Sequence, residues 1–409
     1  MKILLEKWPG PIVTISLAQL FGTSLWFSAN AATVDLMNLW HVSVAQIGWL
    51  TSAVQGGFIV GTLFLSLTGL ADRFRASNIF AVSAILGALL NLLFALLANG
   101  IWQGVLLRFL VGLTLAGIYP LGMKMIIKWA PDKAGWGLSI LVAMLTLGTA
   151  LPHGLKALAT SHPWYMIVSA SSCLSVCGAF LIHALGEGPH GEIKSNAART
   201  KQSPILGLKS AFAGHAFRKA ALGYFGHMWE LYAFWAIVPV LVSSTITINS
   251  SSVSMISFYT IAAGAVGCVI GGIFSHRLSN RSVAISALSL SGICCVIFAV
   301  CGHWMSPNLT LILFLIWGAA VVADSPQFSA MSASACPPEY IGSALSLLNA
   351  IGFALTMISI LIMTKVIGFL GPISMLILAI GPILGLIALI IPTNKEKISS
   401  LQHPASGTS

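Results

Sequence analysis

The chain has 409 residues, of which 57% are hydrophobic and only 7% charged, and it carries a formal net charge of +10. Soluble domains carry roughly a quarter charged residues, so no water-soluble fold could hide this much apolar surface. The basic residues are scattered in short clusters between apolar runs, which is how membrane topology is encoded, and no nucleic acid is expected as a partner.

A helix needs about 20 residues to cross the hydrocarbon, and uncharged runs of that length recur from Pro11 to Ile391. The runs are continuous rather than alternating, so they read as helices and not as barrel strands. The expected fold is therefore an all-α membrane protein. Spans are predicted near 11–33, 45–70, 78–98, 101–123, 136–155, 163–185, 220–243, 254–275, 282–302, 309–331, 341–364 and 369–391, twelve in all. Lys2 and Lys7 before an apolar stretch resemble a signal peptide, but the many spans that follow make this an uncleaved first helix. With the N-terminus inside, seventeen Lys and Arg residues fall on the cytoplasmic side, only Lys156 and Lys365 outside, and Arg108 within a span. That bias places both termini in the cytoplasm of a multi-pass protein of the cell inner membrane. His153 and Lys156, near the outer end of the fifth span, are expected to snorkel to the headgroups. Seven cysteines, among them Cys173, Cys177, Cys268, Cys294 and Cys295, show no paired CxxC spacing and read as small packing residues.

The longest polar stretch divides the spans six and six. The expected organisation is a six-helix bundle over 1–185, a cytoplasmic linker over 186–219, a second six-helix bundle over 220–392 and a cytoplasmic tail over 393–409. The halves repeat, a common construction in secondary transporters. Gly112, Pro120, Pro131, Asp132, Leu138 and Ser139 recur as Gly318, Pro326, Pro338, Glu339, Leu345 and Ser346, at offsets of 206 or 207.

The loop after the second span reads Thr68-Gly69-Leu70-Ala71-Asp72-Arg73-Phe74-Arg75. It resembles the Gly-x-x-x-Asp-Arg-x-Gly-Arg loop of the major facilitator superfamily, although Thr68 replaces the first glycine and Arg75 stands where the second would be. Its counterpart is Gly272-Ile273-Phe274-Ser275-His276-Arg277, with His276 in place of the acid. The resemblance implies two pseudo-symmetric six-helix bundles, a central cavity lined by spans 1, 4, 7 and 10, and a cytoplasmic charge latch at Asp72, Arg73 and Arg277. Arg108-x-x-x-Gly112 is similar to the family's arginine motif associated with proton coupling. The antiporter glycine motif is only partly met between Gly148 and Gly154. Stretches such as Trp26 to Asn30, Trp49 to Gln55 and Gly223 to Trp235 resemble a bacterial subgroup loosely described as cyanate or nitrate-type permeases, but the Gly-Asn-Leu-Gly-Gly motif of nitrate carriers is absent.

Three strongly ionisable residues fall well inside spans: Arg108, Glu230 and Asp324. An unpaired charge near mid-bilayer costs about 2.5 to 3.5 kcal/mol on translocon scales, so such residues normally face the bundle interior and mark a pathway. On the seventh span His227 and Glu230 are three residues apart and share a helix face. Glu230 is the expected proton carrier, with His227, Arg108 and Asp324 as its partners in coupling. A static Arg108 to Glu230 tie between the halves is the alternative. No metal is expected beside His227 and Glu230, because two further ligands are lacking. Trp26, Asn30, Arg108, Tyr119, Trp235 and Gln327 are the candidate substrate contacts, with packing as the alternative for the aromatic residues.

These features predict a secondary transporter, not an enzyme and without a cofactor, that imports a small organic anion or zwitterion, a siderophore included, together with H+ by alternating access. The alternatives are a proton-driven exporter of amphipathic compounds, and a non-transporting receptor or scaffold using the linker. The expected partners are the solute, the proton and the lipid bilayer, and the expected state is a monomer.

Overall fold

Hydrocarbon leaves each peptide group only its own segment for a hydrogen-bond partner, so the apolar runs become helices. The computed structural model describes residues 10–159, 162–188, 211–245, 249–275, 277–336 and 341–391, and among them every regular element is an α-helix or a short 3-10 turn. Most of the expected linker and the expected tail lie outside the described residues, as do His276, Pro338 and Glu339. Ten segments among the described residues are long and apolar enough to cross a membrane. The last of these, Ala344–Ile390, contains two helices, Ile341–Leu370 and Met375–Ile390, divided by the 3-10 turn Gly371–Ser374.

The chain departs from the expected spans in three places. The first run is not one helix but three, Gly10–Thr23, Ser28–Ala31 and Thr33–Trp40. No proline or glycine causes this break. The Thr23 hydroxyl donates back to the Gln19 carbonyl (2.8 Å) and the Ser24 hydroxyl to that of Phe21 (2.7 Å), side-chain bonds that compete with the helical ladder and bend it. The seventh run starts earlier than expected, as His215–Thr245, so His215, Arg218 and Lys219 belong to a helix rather than to the linker. His153 does not snorkel: it is 1% exposed, while Lys156 pairs with Asp35 at 2.8 Å.

The repeat in the sequence is a repeat in the structure. Ile101–Leu115 is followed by Tyr119–Trp129, with Pro120 in the first turn of the second helix, and Pro307–Ala323 is followed by Ser325–Ser334, with Pro326 in the same place. Proline supplies no N–H to the preceding turn, which stops the helix before it. Gly112 and Gly318, also repeat partners, each sit where two helices touch backbone to backbone. A Cβ at Gly112 would overlap the Val54 carbonyl and one at Gly57 the Phe109 carbonyl; likewise Gly318 faces the Thr260 carbonyl and Gly267 that of Ala319. Val44–Thr68 thus crosses Ile101–Leu115 as Ser250–Ser275 crosses Pro307–Ala323.

Residues 10–185 pack mainly on one another, and so do 215–390. Two seams join the groups: Ala134–Leu158 lies along Ser250–Ser275, and Val44–Thr68 along Ile341–Leu370. On the first seam the Ser251 hydroxyl donates to the Ala157 carbonyl (3.1 Å), and a Cβ on Gly272 would lie 2.8 Å from the Ser139 hydroxyl at the other end.

Outside the spans, Glu187 follows the Trp164–Leu185 helix and ties three helix ends together. It accepts hydrogen bonds from the Ser77 amide (3.2 Å) and hydroxyl (3.1 Å) at the start of Ala76–Leu97, and it pairs with Lys128 near the end of Tyr119–Trp129. Burial alone would push its carboxyl up, but the bonds from Lys128 and Ser77 and the Lys128 charge outweigh burial and hold it below the ordinary carboxylate value. A negative group is also favoured at a helix N-terminus.

Two predictions follow from this packing. Gly112→Leu and Gly318→Leu should each lower the thermal unfolding midpoint in detergent by an amount equivalent to about 1–3 kcal/mol or more, whereas Gly368→Ala, inside the Ile341–Leu370 helix and with nothing within 4 Å, should not lower it. Because the folded state favours ionised Glu187, that junction contributes fully above the ordinary carboxylate pKa and is lost as pH falls through the lowered value. Glu187→Gln should therefore lower stability near neutral pH and flatten its decline on acidification, read by unfolding midpoints across an acid titration.

Candidate functional site

A cavity of about 200 Å³ lies between the two groups of helices. Its wall is built by Tyr119, Pro120 and Met123 after the first proline break, by Tyr224, Met228, Tyr232 and Trp235 on His215–Thr245, and by Ser325, Phe328 and Ser329 after the second break. Thr62, Val142 and Leu145 close it from one side, and Ser346, Asn349 and Phe353 from the other. No charged side chain is among its lining residues. Polar contacts come from hydroxyls and an amide, with the Tyr224 hydroxyl donating to Asn349 Oδ1 at 3.1 Å. A larger groove lies on the outer surface between His215–Thr245 and Met375–Ile390.

The cavity has a roof of rings. Trp26 packs on Phe58 (4.9 Å between centroids), Tyr232 (5.7 Å) and Phe353 (5.7 Å), and Phe58 meets Phe353 at 4.5 Å. Phe27 and Trp235 extend the cluster, with Tyr232 and Trp235 5.3 Å apart. Beyond the roof the helices stay closed, with Gly48 against Thr364 and Gly154 against Phe258. The cavity therefore lies toward the end of the molecule that carries the Leu70–Arg73 turn and Lys124, whose amine donates to the Ala71 carbonyl.

Of the predicted substrate contacts, Tyr119 and Trp235 line this cavity. Trp26 belongs to the roof of rings but is not among the lining residues. Asn30 exchanges hydrogen bonds with Thr51 (3.0 and 3.3 Å), and Gln327 is 2% exposed; neither is part of the wall. Helices of spans 4, 7 and 10 reach the cavity as the resemblance implied, but the first span contributes none of its lining residues, and spans 2, 5 and 11 do.

Arg108 and Glu230 are not brought together. Arg108, 1% exposed, reaches the break in the first span, where it donates to the carbonyls of Leu25 (2.9 Å) and Trp26, and also to Ser28 Oγ (3.1 Å) and Asn91 Oδ1 (2.8 Å). Asn91 is in turn fixed by donating to the Val168 carbonyl and Ser172 Oγ, both at 3.0 Å. The guanidinium thus supplies the bonds that the interrupted helix has lost, and its planar fork suits several acceptors at once. Glu230, fully buried, accepts from Ser291 Oγ (2.8 Å), Cys295 Sγ (3.2 Å) and Trp317 Nε1 (2.7 Å). Its neighbours are neutral donors.

His227 and Asp324 form the third buried group. The His227 Nδ1 lies 2.8 Å from Asp324 Oδ1, an ion-pair distance without hydrogen-bonding alignment, and both side chains are 1% exposed. Asp324 occupies the second proline break, where it makes no side-chain cap, and so joins that break to His215–Thr245. The pair lies one layer behind the cavity wall: the His227 ring is 6.1 Å from that of Tyr224 and 6.0 Å from that of Phe328, both lining residues. His227 and Glu230 share a helix face but serve different neighbours. Among the latch residues, Arg73 and Arg277 are exposed, while the side chain of Asp72 lies outside the described residues.

Sequence reasoning missed Asn91, Ser291, Cys295, Phe58, Phe353 and Glu187. Asn91 stands alone among apolar neighbours in its span, and Ser291 and Cys295 are spaced i, i+4, the one signal that marked a polar face opposite Glu230. Cys295 had been read as packing. Because Arg108 and Glu230 share no partner, Arg108→Gln and Glu230→Gln should each destabilise, and their effects should add within about 0.5 kcal/mol in a double-mutant cycle of unfolding. A coupling above about 1 kcal/mol would mean that the two side chains do interact.

The description Major Facilitator Superfamily matches this chain over residues 15–360 and again over 220–405. A solved relative in fold is the xylose transporter XylE from E. coli in a partially occluded inward-open conformation, with a TM-score of 0.74 and 14% identity over 94% of this chain and 98% of that one. Among curated relatives, an uncharacterized transporter of Bacillus subtilis, YybO, is 23% identical over 83% of this chain and 82% of its own. The niacin transporter NiaP of Acinetobacter baylyi is 30% identical over 29% of this chain, and the match spans only 28% of that protein. The multidrug resistance protein MdtG of Citrobacter koseri is 36% identical over 26% of this chain and 24% of its own. The cyanate and nitrate-type subgroup finds no support in these relatives. This chain is a multi-pass membrane transporter, not an enzyme, and it belongs to the major facilitator superfamily.

Proposed function

We propose that the protein imports a small, overall neutral organic solute together with H+ by alternating access, through the cavity beneath the Trp26, Phe58, Tyr232 and Phe353 roof. The reading counts twelve crossings: the broken run from Gly10 to Trp40 is the first, and Ile341–Leu370 and Met375–Ile390 are the last two. The halves are 1–185 and a second that starts with the helix at His215, with both termini and the linker on the cytoplasmic side of the inner membrane, and the working unit is the monomer. In this orientation the cavity faces the cytoplasm.

The observation that carries the reading is the placement of His227 and Asp324 directly behind the wall of a cavity that itself bears no charge. A solute entering that cavity meets rings, hydroxyls and the Asn349 amide. With no countercharge on the wall, a bare anion would pay its desolvation unaided, so a zwitterion or a neutralised acid is favoured over a free anion. A volume of about 200 Å³ lies below the roughly 300–1,000 Å³ of drug-sized ligand sites, which favours a one-ring solute and disfavours a siderophore. The niacin transport named for a relative falls in this class. Arg108 then acts by holding the first span and its Trp26, rather than by touching cargo.

Coupling works through the second proline break. A proton delivered to Asp324 removes the carboxylate charge that faces His227, which loosens the join between His215–Thr245 and the break and shifts the balance between the two access states. Glu230, on the same helix and bound to Trp317 of the same span, is the second proton-responsive group. An exporter of amphipathic compounds is the second reading, favoured by the ring-rich wall and by the match to a multidrug resistance protein.

In proteoliposomes, an imposed proton gradient should drive accumulation of a one-ring carboxylic acid carried together with the proton that neutralises it, such as niacin. Asp324→Asn and His227→Gln should reduce gradient-driven uptake by tenfold or more (about 1.4 kcal/mol or more) while leaving solute exchange without a gradient largely intact. Tyr232→Ala should reduce both. Accumulation only against the inward proton flow would establish the exporter instead, and unchanged coupling in Asp324→Asn would remove the assigned proton site.

A further inference from the structure

The outer surface carries a groove of about 970 Å³ between His215–Thr245 and Met375–Ile390, with Leu355 at its side. Its floor is set by two glycines: a Cβ on Gly226 would overlap the Gly381 carbonyl, so the helices touch backbone to backbone and their larger side chains stand apart as walls. Leu222 (50% exposed), Leu384 (59%) and Ile387 (48%) form those walls. At the end toward mid-membrane the groove is closed by Trp229, whose indole donates to the Ile377 carbonyl at 2.8 Å.

The opposite end is basic. His215 and Lys219 line it, Arg218 contacts His215 (2.6 Å), and Arg281 caps Met375–Ile390 by donating to the Leu389 carbonyl (2.7 Å). Lys219 to Trp229 spans about 15 Å of helix, and the hydrocarbon core is about 30 Å thick, so the groove runs the depth of one leaflet. An apolar slot of leaflet depth with cations at its interfacial mouth fits one class of occupant. We propose that it is a binding site for an anionic phospholipid, with an acyl chain in the groove and the phosphate headgroup at Lys219, His215 and Arg218. Basic clusters at the membrane surface attract anionic lipid, while the apolar walls hold the tail. The site would be independent of the transport reading, since it rests only on the chain being embedded in a bilayer.

The test is retention of lipid by the full chain purified from nanodiscs of mixed phosphatidylglycerol and phosphatidylcholine, read by native mass spectrometry. Phosphatidylglycerol should be retained in preference to phosphatidylcholine. Lys219→Gln should weaken that preference about fivefold, the size expected for one surface cation. Leu384→Trp, which fills the slot from an exposed wall position, should abolish retention of both lipids. Glycerol phosphate, the headgroup without a tail, should bind far more weakly than the lipid. Equal retention of the two lipids overturns the proposal, and so does retention unchanged by Leu384→Trp. It falls too if glycerol phosphate binds as well as lipid, or if nothing is retained because residues 392–409 or another protein fill the groove. Should Leu384→Trp fail to fold, Lys219→Gln at the half-buried basic end still decides the headgroup assignment.

Discussion

Hydrocarbon offers no partner to a peptide group, so each interruption of a crossing helix must find its hydrogen bonds inside the protein. Such interruptions shape this molecule, and two of them show how the need is met. At the first span the carbonyls of Leu25 and Trp26 are taken by the Arg108 guanidinium. At the second proline break the freed Val322 carbonyl receives the Cys268 thiol at 3.6 Å, and Asp324 turns to His227. The charges that looked too costly for a membrane are thus placed where backbone or a neighbouring helix needs them, and the two demands offset each other.

That constraint also divides the labour within the site. Arg108 is surrounded by neutral acceptors, and Glu230 by neutral donors, each with parts of its own half. Mutual attraction across the cavity has no role in either. The cavity is left to rings, hydroxyls and the Asn349 amide. His227 and Asp324 sit one layer behind that wall.

Much of this architecture was legible in the sequence because membrane helices announce themselves by composition, and because the repeat of Gly112 and Pro120 as Gly318 and Pro326 marked the same crossing and the same break in both halves. The identity of the three buried ionisable residues was equally plain. Their partners were not. Helical spacing put His227 and Glu230 on one face, but a face three residues wide touches two different helices, and only the packing decides which side chain meets Asp324 and which meets Trp317. The first span misled for a related reason: Thr23 and Ser24 interrupt a helix through local bonds, a weak signal beside an unbroken apolar run. Glu187 was invisible because its partners, Ser77 and Lys128, come from the ends of two other helices far away in the sequence.

The roof over the cavity draws its rings from both halves, with Trp26 and Phe58 on one side and Tyr232 and Phe353 on the other. Aromatic pairs add about 0.5–1.5 kcal/mol each beyond burial, so parting the halves above the cavity forfeits several such pairs together. The empty carrier is thereby biased toward one resting pose. In the alternating-access cycle we propose, a flat cargo that slides between the separated rings would repay part of that loss, making the passenger itself the wedge that lets the far gate swing.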